Sequence, residues 1–235
     1  MTIRWPLFVR RVHKWVGLFI GIQAVIWTVT GMYMVAVHID YIHGDNLVRP
    51  VRSTPQQLAR LVAPSQVLAN RPNASEIRLQ TLLGRPVWRV ESAAGAYAVD
   101  ARSGARLAPL NAAQAREVAL GIYTGKPEVV SVELLTKAPL EMQSSKPPYW
   151  RVEFEGWNQP TLYLSPATGE LISRRHNLWR VFDFVWMLHI MEYETRSNVN
   201  NLLLRVATWV AVLMSLSGAW LLWWSIGRKK KKKAA

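Results

Sequence analysis

The chain contains no cysteine in its 235 residues. Disulfides, thiolate metal sites and covalently attached c-type haem, which needs Cys-x-x-Cys-His, are therefore excluded. The absence leaves the redox compartment open. Acidic residues are missing from both ends: all 15 lie between Asp40 and Glu194. Eleven of the 29 basic residues sit in the acid-free ends, at Arg4, Arg10, Arg11 and Lys14, at Arg205, and in the run Arg228 to Lys233. The formal net charge of +14 thus belongs to the two ends, and the central block is close to neutral. Basic ends that flank apolar runs orient a chain in a membrane and do not make a nucleic-acid-binding face. The central block also lacks a nucleophile elbow, a Gly-rich phosphate loop and any histidine–carboxylate metal spacing, so it reads as a binding or spacing module.

Two long uncharged runs are present. Val16–Val37 is 22 residues long, and a helix of that length covers about 33 Å, enough for a bilayer core. Val206–Trp224 is a second run of 19 residues. The spans predicted from them are residues 16–37 and 203–226. The first is too long for a signal-peptide h-region and no small-x-small cleavage site follows it, so it is read as a span. Two spans return the chain to its starting side. Residues 1–15 and 227–235, both basic, are expected in the cytoplasm and the middle outside it. Lys229–Lys233 reads as an anchor to anionic lipid, worth about 1 kcal/mol per residue near the surface. Trp15, Trp209, Trp220, Trp223 and Trp224 lie near span ends, as interfacial aromatic anchors do. Small residues recur in both spans: Gly17 and Gly21 in the first, Ala207, Ala211, Ser215 and Gly218 in the second. Such stripes permit close helix approach. Packing of the two spans on each other and packing between two copies of the chain are both open readings.

Residues 38–177 repeat themselves. PVWRVESAAGAYAVDARSGARL (86–107) aligns with PYWRVEFEGWNQPTLYLSPATGEL (148–171), and WRVE recurs at Trp88 and Trp150. Alternation at Trp88 and Val90, Tyr97 and Val99, Trp150, Val152 and Phe154, and Leu162 and Leu164 predicts a hairpin in each copy. Each copy closes on a glycine turn, Ser103-Gly104 and Thr168-Gly169. A first strand is predicted at 76–82 and at 129–135. A helix is predicted to start at Thr54-Pro55-Gln56-Gln57 and another at Asn111-Ala112-Ala113-Gln114. The two copies, about 54–107 and 111–172, are expected to pack as one domain because neither alone supports a sizeable core. After them, residues 178–193 are apolar nearly all round but too short to cross; they predict an interfacial helix.

The duplicated helix–strand–hairpin units, with WRV and D-x-x-[ST]-G-type turns, resemble PepSY domains. RRVHKWVGLFIG…TG at the start, FDFVWMLHIMEY, and LLRVATWVAVLMSLSGAWLLWW at the end resemble the PepSY-associated transmembrane family. The resemblance implies a membrane α+β protein: two transmembrane helices, a short interfacial helix and an extracytoplasmic tandem PepSY-like domain of helices and antiparallel sheet. It implies residence in the cytoplasmic (inner) membrane with the central domain periplasmic. Larger members have four spans and serve iron uptake, some as haem-containing reductases of ferric siderophores. A chain with two spans then implies a homodimer or a membrane partner subunit, a lipid bilayer as solvent, and no nucleic acid.

Five histidines are the candidate ligands. His13 ends the basic N-terminal segment and His38 closes the first span; 25 residues, or about 37 Å of helix, separate them. His189 sits in FVWMLHIMEY, where an imidazole without partners is costly. In a thiol-free membrane chain, paired neutral imidazoles match b-type haem. The resemblance favours His13 and His189 as iron ligands, with His38 as a third candidate cofactor-binding residue. The pairs considered are His189 with His38, His189 with the same residue of a second copy, and His13 with its counterpart in a second copy. The bland readings are a headgroup-facing His13 and a hydrogen-bonded His189. His43 and His176 lie in polar stretches and read as surface. Asp183 reads as a bonded partner for Arg180 or for the backbone. Two functions remain: a haem-b membrane protein that passes electrons to an extracytoplasmic acceptor such as a ferric chelate, with ferric-reductase-like oxidoreductase activity, or a non-catalytic membrane-anchored PepSY module or accessory subunit. The first predicts a b-type spectrum, the second a stable partner and no chromophore.

Overall fold

The computed structural model describes residues 5–49, 60–69 and 73–233, without the side chains of residues 5, 6 and 227–233. Contacts divide the chain into two units. One comprises Met1–His38 with Val181–Ala235, the other Ile39–Arg180.

The helical unit is built on α1 (Trp5–Ala36) and α6 (Leu202–Lys233). Their apolar cores, Leu7–Ala36 and Leu202–Ile226, each have a mean hydropathy of 1.7 and are long enough to cross a membrane. The two helices pack on each other. On α1 the less exposed side chains recur at Val9, His13, Val16, Ile20, Gln23, Trp27 and Thr30; on α6 they recur at Leu204, Ala207, Ala211, Met214, Gly218 and Leu221. These steps of 4 and 3 are the spacing of a left-handed helix pair. The small residues divide accordingly. A Cβ at Gly17 would come within 3.0 Å of Met214 Cε, whereas Gly21 has nothing within 4 Å. Gly17 therefore serves the packing of α1 on α6, and Gly21 faces away from it. The outward faces carry large apolar groups, such as Phe19 (74% exposed) and Trp223 (82%).

Helix α5 (Asn177–Ile190) stands where the apolar segment 178–193 was expected. The chain then turns tightly into α6. Glu192 closes this turn: its carboxylate accepts hydrogen bonds from the N–H groups of Glu194, Thr195 and Ser197 and from the Thr195 hydroxyl, all at 2.8–3.0 Å. Burial by itself would raise its pKa, but these donors outweigh it and hold the carboxyl down at about 2. Asn201 caps α6 through Oδ1 to the Leu204 N–H (2.8 Å), and its Nδ2 donates to the Ile190 carbonyl (2.8 Å).

The second unit holds two antiparallel sheets. The first, in order β1-β2-β3, uses Ala74–Leu82, Arg85–Ser92 and Tyr97–Asp100; the second, in order β4-β5-β6-β7, uses Val129–Leu135, Tyr149–Phe154, Thr161–Leu164 and Leu171–Arg175. Both predicted first strands and both hairpins are present; β7 was not foreseen. The repeat extends to hydrogen bonds. Trp88 Nε1 donates to the Val62 carbonyl (3.1 Å), two residues before α3 (Pro64–Ala69). Trp150 Nε1 donates to the Leu110 carbonyl (2.9 Å), two residues before α4 (Ala112–Ile122). Each WRVE tryptophan thus fixes the entry to its copy's helix. The predicted start of α4 carries a full capping box between Asn111 and Gln114. The other predicted start, Thr54–Gln57, lies outside the described residues.

The copies differ in their first connection. β1 and β2 are joined by Leu83-Gly84, both at positive φ (51° and 73°), the conformation of a two-residue hairpin. β4 and β5 are joined by residues 136–148, which include a short 3-10 turn at Leu140–Met142. The closing turns are alike. Asp100 Oδ1 accepts from the N–H groups of Arg102 and Ser103 (2.8 Å each), and Ser165 Oγ from the Thr168 N–H (3.3 Å), so serine stands in for the aspartate in the second copy. The main core joins both copies: Leu82 and Val87 pack with Ala115, Ala119, Trp150 and Leu162.

Candidate functional site

His13 lies on α1 and faces α6. Its Nδ1 is 2.8 Å from Ser217 Oγ, and the Ser217 hydroxyl also lies 2.9 Å from the Met214 carbonyl of its own helix. The ring sits over Gly218, where a Cβ would come within 3.2 Å of His13 Cε1. His189 lies in the last turn of α5 and faces α1. Its Nδ1 is 2.8 Å from Thr30 Oγ1, and that hydroxyl donates to the Ile26 carbonyl at 2.6 Å. The ring edge is 3.8 Å from a Cβ built on Gly31. The backbone carbonyl of His189 accepts from Trp27 Nε1 at 2.7 Å. Thr30 is buried, at 5% exposure.

The two imidazoles therefore meet the same construction. In each case a hydroxyl residue followed by glycine, Ser217-Gly218 or Thr30-Gly31, receives the ring on a neighbouring helix. These partners were not recognised in the sequence. The signal was present in outline, because TG and SG stand inside the segments that carry the family resemblance. What could not be read was the pairing, which spans 159 and 204 residues.

His13 and His189 do not come together. Their sites on α1, at residue 13 and at Thr30, are 17 residues apart, or about 26 Å of helix. His38 is exposed just beyond α1. Between the sites Gln23 faces the helix seam, and its Nε2 is buried with no hydrogen bond among the described residues. No group of three or more metal-ligating side chains occurs among the described residues. A bis-imidazole haem needs only one or two nitrogens per level, so the relevant test is the state of each ring. At both histidines Nδ1 is engaged by a hydroxyl, and Nε2 makes no hydrogen bond among the described residues. An imidazole with a held Nδ1 and an open Nε2 fits an axial iron ligand.

Two readings of charged residues need correction. His176 is not a surface residue. It is 1% exposed, and its Nδ1 lies 3.3 Å from the Trp179 N–H, where it caps the first turn of α5. Its ring fills the space over Gly44. Burial holds its pKa below the usual value, helped by Arg180 and Arg175 and opposed by the Tyr41 and Ile42 carbonyls. The polar neighbours RRHN concealed this, because the burial comes from residues 130 positions away. His43 is exposed, as expected. Asp183 pairs with Arg196 and not with Arg180. Arg180 instead donates to Glu141 (Nε, 2.8 Å), whose carboxylate also accepts from the Tyr163 hydroxyl at 2.5 Å. Burial raises the Glu141 pKa, but these bonds overcome it and the net direction is down.

The sheet unit offers a groove of about 910 Å³, lined by Arg49 and by residues of both copies that include Arg78, Arg89, Glu117 and Glu170. Its charges are largely matched within the unit: Arg78 pairs with Glu76 (2.7 Å), and Arg89 with Glu91 (2.5 Å) and Glu170 (2.9 Å).

No curated protein and no solved structure matches the chain significantly. The family described as the PepSY-associated TM region matches residues 10–235, a stretch that contains α6, all but the first turn or so of α1, both sheets and both histidine sites. Taken with the two helices long and apolar enough to span a bilayer, this match makes the chain a membrane protein that belongs to the PepSY-associated TM region family.

Proposed function

We propose that this chain is an integral membrane haem-b protein that passes electrons across the bilayer to an extracytoplasmic acceptor. A ferric chelate is the acceptor class that the family resemblance suggests. The observation that carries the reading is the matched pair of imidazoles near opposite ends of the α1 span, each with Nδ1 engaged and Nε2 open. His13 and His189 are the residues that would hold iron, one at each level. Bound haem supplies a one-electron ferric–ferrous couple. The protein's part would be to hold each imidazole at a helix seam through Nδ1, with Trp27 bonded to the His189 carbonyl.

Each level has one such imidazole in this chain. A second copy or a membrane partner subunit completes the pair, and His38 is the alternative partner for His189. The basic termini support a topology with both ends in the cytoplasm of an inner-membrane protein and the PepSY unit outside as a lid or docking surface. The test is a visible spectrum of the full chain purified in detergent, oxidised and then reduced. A b-type spectrum is expected, with His189→Ala losing most of one haem and His13→Ala most of the other. A colourless protein from haem-sufficient cells overturns the reading.

A second reading draws on the sheets. β1 and β4 each lie at the edge of their sheet, and β4 exposes Val130 and Leu134. Exposed edges accept a further strand, so a membrane-anchored PepSY binding module or accessory subunit is the competing function. A stable partner that co-purifies without a chromophore favours it.

A further inference from the structure

We infer that Thr30 and Ser217 are positioning residues that set the tautomer of His189 and His13, holding the proton on Nδ1 and leaving the Nε2 lone pair without a hydrogen bond among the described residues. The argument starts from the single proton on a hydroxyl. Thr30 Oγ1 lies 2.6 Å from the Ile26 carbonyl and 3.3 Å from that of Trp27, so its proton is committed to its own helix. Ser217 Oγ does the same with Met214 at 2.9 Å. Each oxygen then faces Nδ1 at 2.8 Å with lone pairs only, and the bond forms when the ring donates.

The opposite tautomer fails at the other nitrogen. It would put an N–H on Nε2, which has no acceptor among the described residues. Where water does not reach it, an N–H without an acceptor is the costlier error. At His13 the glycine contributes as well: a Cβ on Gly218 would crowd the ring at 3.2 Å, whereas a Cβ on Gly31 would meet the His189 ring at an ordinary 3.8 Å. The Trp27 bond to the His189 carbonyl fixes the backbone that carries the second ring. A hydroxyl is also a weaker acceptor than a carboxylate, so an imidazole held this way would give a bound iron less imidazolate character.

The tautomer stands without haem; only its consequence for a bound iron rests on the proposed function. The test uses the full haem-free chain, labelled with ¹⁵N-histidine in lipid nanodiscs, and solid-state NMR of the ring nitrogens. His13→Gln and His189→Gln assign the signals. The wild type is expected to show Nδ1–H at both positions. Thr30→Val, close to isosteric, should lower the ratio of Nδ1–H to Nε2–H at His189 about fivefold, the worth of one ordinary hydrogen bond. It should leave His13 unchanged, and Thr30→Ser should restore the wild-type ratio. Ser217→Ala should act on His13 alone. Wild-type rings protonated on Nε2, or equal spectra for Thr30→Val and Thr30→Ser, overturn the inference. In haem-loaded protein, Thr30→Val should shift the reduction potential of one haem while Thr30→Ser does not. Correct tautomers in a protein that never takes up haem would defeat the proposed function and leave this inference intact.

Discussion

The helical and sheet units bury opposite chemistry. In the sheet unit Val90, Val152 and Leu162 are fully buried, and the ion pairs of Arg78 and Arg151 lie toward solvent. In the helical unit Phe19, Leu213 and Trp223 are exposed, while His13, Gln23 and Thr30 line the seam between helices. One unit is sorted for water and the other for lipid. A polar group placed outward in hydrocarbon has no partner outside its own helix, so outward Thr28 bonds back to the Ala24 carbonyl, while His13 and Thr30 turn inward, where hydroxyl, ring and carbonyl satisfy one another. The same reasoning explains why an imidazole pair is found in the unit with the least polar composition. There, an unsatisfied nitrogen is most noticeable and a ligand for it most favourable.

Glycine substitutions offer the strongest tests of this contrast. In the sheet unit Gly169 combines φ +71° with a tight fit: a Cβ would overlap Leu82 Cδ1 and lie 3.3 Å from Leu110 Cδ1. Gly169→Ala should cost about 3 kcal/mol, from backbone strain and overpacking together. Gly84→Ala, at φ +73° with nothing within 4 Å, should cost only about 1 kcal/mol. Chemical unfolding of the full chain, followed by the fluorescence of the buried tryptophans, separates the two. In the helical unit the matching pair is Gly17→Leu and Gly21→Leu. The first meets Met214 and should weaken the α1–α6 packing by about 1–2 kcal/mol; the second enters open space and should leave it unchanged. Cysteine cross-linking between α1 and α6 reads the difference. Equal effects would mean that the helices pack through the other face.

The smallest expected effect concerns pH. The Glu192 carboxyl is held at about 2 in the folded chain, below its value of about 4.3 when unfolded. Its contribution is present above the unfolded value and is lost as pH falls through the folded one. Amide exchange at Glu194, Thr195 and Ser197, corrected for the intrinsic pH dependence, should stay slow down to pH 4 and quicken as pH approaches 2. Glu192→Gln should show no such step.

Much of this architecture was legible in local patterns. The uncharged run of 22 residues, the WRVE repeat and the Asn111–Gln114 box each act over a few residues, and each produced the element expected of it. The indole bonds of Trp88 and Trp150 explain why that tetrapeptide recurs, although the acceptors at Val62 and Leu110 were not foreseen. The misses were long-range. His176 looked solvated because its sequence neighbours are polar, yet Gly44 leaves the space its ring fills. Asp183 reads locally as a partner for Arg180, three residues away, or for the backbone, but the turn before α6 brings Arg196 back to it. For the histidines, residue type and setting pointed to ligands, while the hydroxyls that orient them became visible only once α1, α5 and α6 were in place.

The turn around Glu192 has a consequence for insertion. An ionised carboxylate wrapped by four donors cannot be drawn into hydrocarbon without undoing the turn that holds it. Helix α6 can slide toward one leaflet or tilt to match its thickness, but its first residue stays tied to the turn that carries this anion. The depth of the nearby His189 is thereby set by a fixed charge and not by the length of the apolar helix.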